Sequence, residues 1–103
     1  MPNPINVVPA ASRISARDIT LNLAGLDGDE IRVPENRKRN MIFIHNLNLP
    51  GGAVNLLNRD RKRFMVVSPN DKIVIQTTDE VIVQNSDNAT QAAVLIGETI
   101  TIE

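Results

Sequence analysis

The sequence predicts an all-β domain, a compact antiparallel β-sandwich or jelly-roll-like barrel of about eight short strands. Apolar and polar residues alternate with a period of two in several short segments, and turns containing glycine, proline or asparagine separate them. No long window carries the 3.6-residue spacing of an amphipathic helix. At 103 residues the chain has room for one domain, which we place at residues 14–103 after an extended N-terminal arm at residues 1–13.

The first element is the segment of residues 1–13, MPNPINVVPAASR, which contains three prolines. Proline lacks a backbone donor and keeps the preceding residue extended, so an extended chain is favoured. Its apolar residues Ile5, Val7 and Val8 are too few to form a core. Two interpretations stay open: a frayed terminus, and an arm that binds a neighbouring subunit through these side chains. The apolar residues favour the arm, because in a solvated tail these side chains would stay exposed to water without a stabilising contact.

The predicted strands follow the arm in order. They lie at residues 19–23, 30–33, 41–45, 53–57, 64–67, 72–76, 81–84, 92–96 and 99–103. β-Branched residues dominate most of them, as is typical of strands. Gly97 is predicted to divide the last two, and a short helical turn at residues 88–93 stays open as an alternative.

The turn residues predict how the strands connect. Asp27 and Gly28 form a turn, because aspartate hydrogen-bonds its own backbone and glycine tolerates positive φ. The sequence Pro-Gly-Gly at residues 50–52 predicts a hairpin turn. Ser-Pro-Asn-Asp at residues 68–71 places proline at the favoured second turn position. Residues 77–80 predict another hairpin, between the strands that flank them.

Several predicted strands are apolar on both faces. They are the segments at residues 41–44, 64–67, 73–75, 81–83 and 92–96. In a two-layer sandwich only one face of each sheet meets the core. Each fully buried Val or Ile contributes roughly 1.5–3 kcal/mol, so an exposed second apolar face is unfavourable. We therefore expect loops, the arm or another subunit to cover it.

The composition excludes several classes of function. The chain has no cysteine, so neither a disulfide framework nor a thiolate metal site is available. It has two phenylalanines, no tryptophan and no tyrosine, and this low aromatic content counts against nucleic-acid and carbohydrate sites. The first residues lack the layout of a signal peptide, and no apolar run approaches the ~20 residues of a membrane span. We expect a soluble protein that is made inside the cell.

No motif predicts catalysis, and we expect neither an enzyme nor a bound cofactor. The one histidine, His45, lies on a predicted strand without a nucleophile motif, so we interpret it as a surface or interface side chain. Asp27, Asp29 and Glu30 surround a glycine, but their spacing does not match a calcium-binding loop, and a turn with solvated acids is predicted. A cupin-like metal enzyme would need several His and Glu ligands on neighbouring strands, and one histidine cannot supply them.

Two basic segments are the most distinctive charged features. Eight of the eleven Lys and Arg residues lie between Arg32 and Arg63, whereas six acids and one base follow from Phe64 onward. A chain that is basic in its middle and acidic toward its end can pair with copies of itself. The candidate partner-binding residues in the two segments are Arg37, Lys38, Arg39, Arg59, Arg61, Lys62 and Arg63. Each segment precedes an apolar strand, so we expect the two to lie near each other at one end of the sandwich.

Three interpretations of the basic segments stay open. They form solvated loops, or they bind a partner, most simply an acidic protein surface. Nucleic acid is the third interpretation, which the net charge of −1 and the lack of stacking residues disfavour.

Residues 36–103 contain a basic stretch, strand segments and a turn in a defined order. A basic stretch leads into a strand that ends in asparagine (RKRNMIFIHN, residues 37–46), and a Ser-Pro-Asn-Asp turn precedes residues 73–75. A second segment that ends in asparagine (TDEVIVQN, residues 78–85) precedes the terminal β-segment. This order resembles the small β-sandwich virion proteins of tailed bacteriophages. The chain departs from their pattern after Pro69, where asparagine and aspartate stand instead of glycine.

The resemblance implies a structural role in the virion, assembled in the host cytoplasm. Small proteins of this kind act as capsid decoration (cement) proteins, commonly dimers or trimers, that bind and stabilise neighbouring major capsid subunits. Others are tail, spike or fibre-base components. The expected partner is the major capsid protein or another virion protein, together with further copies of the chain. A receptor- or ligand-binding module, which requires a concave pocket with convergent polar groups, is the alternative.

Overall fold

The computed structural model describes residues 12–48 and 51–101. This part of the chain contains eight β-strands and no helix. The strands are β1 (Ser12–Leu21), β2 (Glu30–Val33), β3 (Arg39–Asn46), β4 (Val54–Leu57), β5 (Arg63–Val67), β6 (Lys72–Ile75), β7 (Val81–Asn85) and β8 (Ala92–Thr101). The predicted all-β class is confirmed, whereas the helical turn considered at residues 88–93 is not formed.

The described strands form two antiparallel sheets of four. Sheet A has the order β1-β8-β3-β6, and sheet B has the order β2-β7-β4-β5. The pairs nest from the ends of the chain inward: β1 pairs with β8, β2 with β7, β3 with β6 and β4 with β5. This nesting is that of a jelly roll, in which one long hairpin is rolled into two packed sheets.

The connections differ from the predicted hairpins. β3 and β4 belong to different sheets, and so do β6 and β7, so neither loop is a hairpin turn. Among the described strands, only β4 and β5 are both consecutive and paired, through the loop at residues 58–62. Glycine, proline and asparagine favour a reversal of the chain, but they do not determine whether the next strand joins the same sheet.

β8 is one strand of ten residues, and Gly97 does not divide it. A side chain at position 97 would collide with the ring of Phe43 on the neighbouring strand β3. The glycine therefore makes room for an aromatic ring and does not end the strand. β1 begins at Ser12, so the last two residues of the predicted arm are part of sheet A.

The core lies between the two sheets and consists of aliphatic side chains from both inner faces. Its most deeply buried members include Leu21, Ile42, Ile44, Val54, Leu56, Val83 and Val94. Alternate residues of each strand point inward, as the two-residue period requires. Each of these side chains contributes roughly 1.5–3 kcal/mol through burial. The remaining apolar residues of the same strands therefore face away from the core.

The turn at residues 68–71 has the predicted form. The backbone N–H of Asp71 donates to the carbonyl oxygen of Ser68 at 3.0 Å, and Asn70 has a φ of 63°. This left-handed conformation is one that asparagine tolerates better than most residues. The predicted Asp-Gly turn is also present, with a φ of 84° at Gly28.

Two buried asparagines end strands β3 and β7 and hold the loops that follow. Asn46 donates to the backbone carbonyls of Gly52 and Val67, both at 3.1 Å, and accepts from the backbone N–H of Asn48 at 3.0 Å. Asn85 makes the same set of bonds: it donates to two loop carbonyls and accepts from the N–H two residues later. These bonds satisfy amides that would be costly to bury unpaired.

Candidate protein-binding surfaces

The outer face of sheet A is a broad and mostly apolar surface. The strand register places its side chains in rows that cross the sheet from β1 to β6. In order, the rows consist of Thr20, Ala93 and Leu47; Asp18, Leu95, His45 and Lys72; Ala16, Gly97, Phe43 and Val74; and Ile14, Thr99 and Met41. We call this surface the sheet A face.

Large apolar side chains of the sheet A face are open to solvent. Ile14 is 70% exposed and Val74 is 60% exposed, and Leu47 is exposed as well. Phe43 lies half-buried beside Gly97. Soluble monomers rarely expose contiguous apolar patches of this kind, and such patches mark interaction sites. The predicted second apolar face is therefore present, and the described residues leave it uncovered.

Strand β5 forms a second exposed apolar surface, at the edge of sheet B. It pairs with β4 on one side, and within the described chain no strand pairs with its other side. Phe64, Met65 and Val66 are all exposed. Because an edge strand presents unpaired backbone N–H and C=O groups, another strand can pair with it. We call Arg63–Val67 the β5 edge.

Arg39 was predicted to bind a partner, and the structure corrects this prediction. Its guanidinium has no exposed surface and donates to the Glu98 carboxylate and to the Pro34 carbonyl, both at 2.8 Å. It also donates to the carbonyl of Thr77 at 2.9 Å and to that of Asp79. A register shift at the start of β3 accompanies this inward orientation. Its donors are used within the chain, so Arg39 stabilises the fold.

The two basic segments meet at Glu35. Arg59 donates to the Glu35 carboxylate at 3.0 Å, and the Arg37 guanidinium lies 3.9 Å from the same carboxylate. Arg59 also pairs with Asp79 at 2.5 Å. Hydrogen bonds from the backbone N–H of Glu80 and from Arg59 lower the pKa of the Asp79 carboxyl below its ordinary value. The basic segments are therefore close together, as predicted, but acids of the same chain neutralise much of their charge.

Arg61 folds back over the outer face of sheet B. It has a φ of 63° and makes two hydrogen bonds to Glu30, both at 2.8 Å. These bonds lower the pKa of Glu30 and raise that of Arg61. Glu30 lies on β2, two strands from β4, so Arg61 reaches across sheet B. Leu57 and Ile82 of this sheet face away from the core and are nonetheless buried. The chain thus covers part of the outer face of sheet B itself.

The other basic candidates stay accessible. Lys38, Lys62 and Arg63 are exposed, and they form no ion pair within the described residues. Arg63 is the first residue of the β5 edge and Lys62 precedes it, so this apolar strand has a basic end. The three candidates of the arm, Ile5, Val7 and Val8, lie outside the described residues.

The single histidine and the acidic turn occupy separate places. His45 is half-buried on the sheet A face. In the turn, the Asp29 carboxylate accepts from the Gly25 N–H at 3.0 Å, and Glu30 pairs with Arg61. Across residues 12–48 and 51–101, no group of three or more His, Asp or Glu side chains is placed to hold a metal ion. The same part of the chain has no helix that is long and apolar enough to cross a membrane.

A groove of about 300 Å³ lies between strands β1 and β2, at one side of the sandwich. The polar residues that line it are Ser15, Arg17 and Glu98, and Val33 and Ile96 are among its apolar residues. This volume is at the lower end of the range for small-molecule sites. The Glu98 carboxylate is already bonded within the chain, which leaves Arg17 as the main charged group for a ligand.

Comparisons with known proteins do not assign the chain to a family. No family model matches it, and no curated protein matches it at a significant level of sequence similarity. The jelly roll is shared by viral capsid proteins, lectins and cupins, so architecture alone leaves the function open. The resemblance to virion proteins stays a prediction.

Proposed function

We propose that this protein is a structural assembly subunit that binds other protein subunits and is not an enzyme. One observation carries the proposal: the sheet A face and the β5 edge are two exposed apolar surfaces on different sheets. Two separate surfaces let a small domain contact two neighbours at once. A protein that joins subunits requires this property.

At a finer level we propose a virion structural protein, specifically a capsid decoration (cement) protein that binds neighbouring major capsid subunits. The order of motifs over residues 36–103 supports this proposal. The jelly-roll architecture is compatible with it, because viral capsid proteins frequently have this fold. The residues proposed to contact the capsid are the β5 edge, the accessible basic residues Lys62 and Arg63, and the N-terminal arm.

Co-expression with the major capsid protein of the same genome, followed by electron microscopy of the particles, tests the proposal. We expect the chain to cosediment with the particles and to raise their resistance to heat. Val66→Asp should weaken this binding, because it places a charge on the β5 edge, and deletion of residues 1–11 leaves β1 intact and tests the arm separately. Particles that assemble, carry none of the protein and have unchanged stability would contradict the proposal.

The groove between β1 and β2 favours a second candidate, a ligand-binding module. Its polar residues Ser15 and Arg17 lie beside apolar walls, as small-molecule sites require. A screen of glycans and small anionic metabolites tests this function, with Arg17→Ala as the variant expected to lose binding. Binding that survives this substitution would place the ligand elsewhere.

A further inference from the structure

We propose that the sheet A face binds the same face of a second copy of this chain, in a two-fold symmetric dimer. The inference rests on the proposed assembly function, because it names the partner of one of the two surfaces. It leaves the β5 edge free for other subunits. Three properties of the face support a second copy: the placement of its charges, the sizes of its side chains and its area.

The charges of the sheet A face lie at its two opposite edges. Asp18 on β1 and Lys72 on β6 are at the two ends of one row, with Leu95 and His45 between them. Asp18 and Lys72 are both exposed. Thus the rows from Thr20 to Ile14 place one acid and one base at the rim, and the side chains between them are mostly apolar, with His45 and Thr99 as the polar ones. Apolar side chains inside a charged rim are the usual anatomy of a protein interface.

A two-fold axis makes these charges complementary. If the axis runs parallel to the strands, between β8 and β3, each β1 faces the β6 of the other copy. Asp18 of one copy then lies opposite Lys72 of the other, and the symmetry creates the same pair twice. An isologous interface requires this kind of self-complementarity, and like charges would face each other if both edges carried the same sign.

The same axis matches small side chains with large ones. In the next row, Ala16 faces Val74 of the other copy, while the Phe43 ring of each copy lies over the Gly97 of its own chain. The exposed ends of the row are Ala16 and the 60% exposed Val74, so a large side chain meets a small one at each edge. Such alternation allows two sheets to pack closely at the usual separation of about 10 Å.

The area of the face is on the scale of a stable interface. Four strands about 4.8 Å apart and four rows about 6.7 Å apart cover a flat area of roughly 500 Å². The relief of the side chains adds to this value, and standard interfaces bury about 800 Å² of accessible surface per partner. The face is thus large enough to serve as a dimer interface.

Charge reversal tests the proposed axis directly. Asp18→Lys and Lys72→Asp should each weaken the dimer about tenfold at low salt, because like charges then face each other twice. The double variant Asp18→Lys/Lys72→Asp should restore the wild-type dissociation constant. An equimolar mixture of the two single variants should form a mixed dimer, because each chain then supplies the charge that the other lacks. Sedimentation equilibrium from 1 to 100 μM, in low and high salt, measures these constants.

A matched pair of substitutions distinguishes the sheet A face from the β5 edge. Val74→Asp should raise the dimer dissociation constant roughly tenfold, because it places a charge against the apolar Ala16 of the other copy. Val66→Asp is the control, since Val66 is also an exposed strand valine but lies on sheet B. It should leave the dimer unchanged. Both positions are solvent-exposed in the single chain, so the circular dichroism spectrum should stay that of the folded protein.

The outcomes separate this inference from the proposed function. A chain that is monomeric at 100 μM but still binds virion particles overturns the dimer and leaves the assembly function standing. A dimer that Val66→Asp breaks and Val74→Asp does not break would place the dimer contact on the β5 edge. Loss of the dimer on deletion of residues 1–11, with no effect of the charge reversals, would identify the arm as the occupant. A monomer that also fails to bind particles overturns both proposals.

Discussion

The guanidinium of Arg39 donates to the carboxylate of Glu98 at 2.8 Å, joining the start of β3 to the second half of β8. The same guanidinium binds carbonyls in the segments that follow β2 and β6. One buried cation therefore links sheet A to the loops that lead to and from sheet B. A planar guanidinium with five donors suits this position, whereas an ammonium group does not.

Replacement of Arg39 should destabilise the fold strongly. Arg39→Ala leaves the Glu98 carboxylate and several carbonyls without their donor, so we expect a loss of about 3–5 kcal/mol in the free energy of unfolding. Lys38→Ala is the matched control, because Lys38 is adjacent and exposed, and its loss should stay within about 0.5 kcal/mol. Urea unfolding measures both values. Equal effects of the two substitutions would contradict the role given to Arg39.

The buried strand-end asparagines should also be important for stability. Asn46→Ala and Asn85→Ala each remove two donated hydrogen bonds and one accepted hydrogen bond in sites that are closed to solvent. We expect a loss of about 2–4 kcal/mol for each, measured by thermal or urea unfolding. Asn88→Ala is the control, because Asn88 is exposed, and it should be nearly neutral. A small loss of stability at Asn46 or Asn85 would contradict this prediction, because it would mean that water takes over the hydrogen bonds of the missing amide.

Gly97 and Phe43 should be energetically coupled. Gly97→Ala adds a methyl group where the Phe43 ring lies, so we expect a destabilisation of about 1–3 kcal/mol. In the Phe43→Ala background the collision is absent, and the same change should be neutral or slightly stabilising, because alanine restricts the unfolded chain. A double-mutant cycle measures this coupling. Additive effects would show that the ring and the glycine do not share this space.

Acid should release the loop at residues 58–62 from the outer face of sheet B. Hydrogen bonding lowers the pKa of Glu30 and that of Asp79 below their ordinary values of 4.5 and 3.8. A carboxyl whose pKa is lower in the folded state contributes stability above its ordinary value and loses it as the pH falls through the folded-state pKa. We therefore expect stability to decrease between about pH 5 and pH 2.

Amide hydrogen exchange of the same loop, measured over this pH range, checks the acid effect. Glu30→Gln should expose the loop at neutral pH and reduce the pH dependence, because the pairing with Arg61 is then lost at every pH. Asp60→Asn on the same loop is the control, since Asp60 forms no ion pair within the described residues. Loop protection that stays constant down to pH 2 would contradict the prediction.

Much of the local structure was predictable from the chain. Residues 30–33 were predicted as a strand with the observed bounds, and the Ser-Pro-Asn-Asp turn has the predicted form. The apolar residues on both sides of strands such as β3 and β6 correctly indicated a second apolar face. Two-residue periodicity and turn chemistry are local properties, so a single sequence carries them.

The partners of each strand were not predictable in this way. Residues 50–52 and 77–80 have the composition of hairpin turns, yet the chain crosses between the sheets at both places. The pairing of β1 with β8 joins residues about eighty positions apart, and local turn residues contain no information about it. Gly97 was interpreted as a break for the same reason, since its neighbour Phe43 is distant in sequence.

The charged residues show most clearly which properties follow from the sequence and which depend on the tertiary structure. The sequence by itself determined the all-β class, most strand positions and the presence of two basic segments. Only the tertiary structure decided that Arg39 is buried, that Arg59 and Arg61 bind acids of the same chain, and that Asp18 and Lys72 lie at opposite edges of one face. The physical reason is that a charge acts on what lies beside it in space, and the folding of distant strands determines those neighbours.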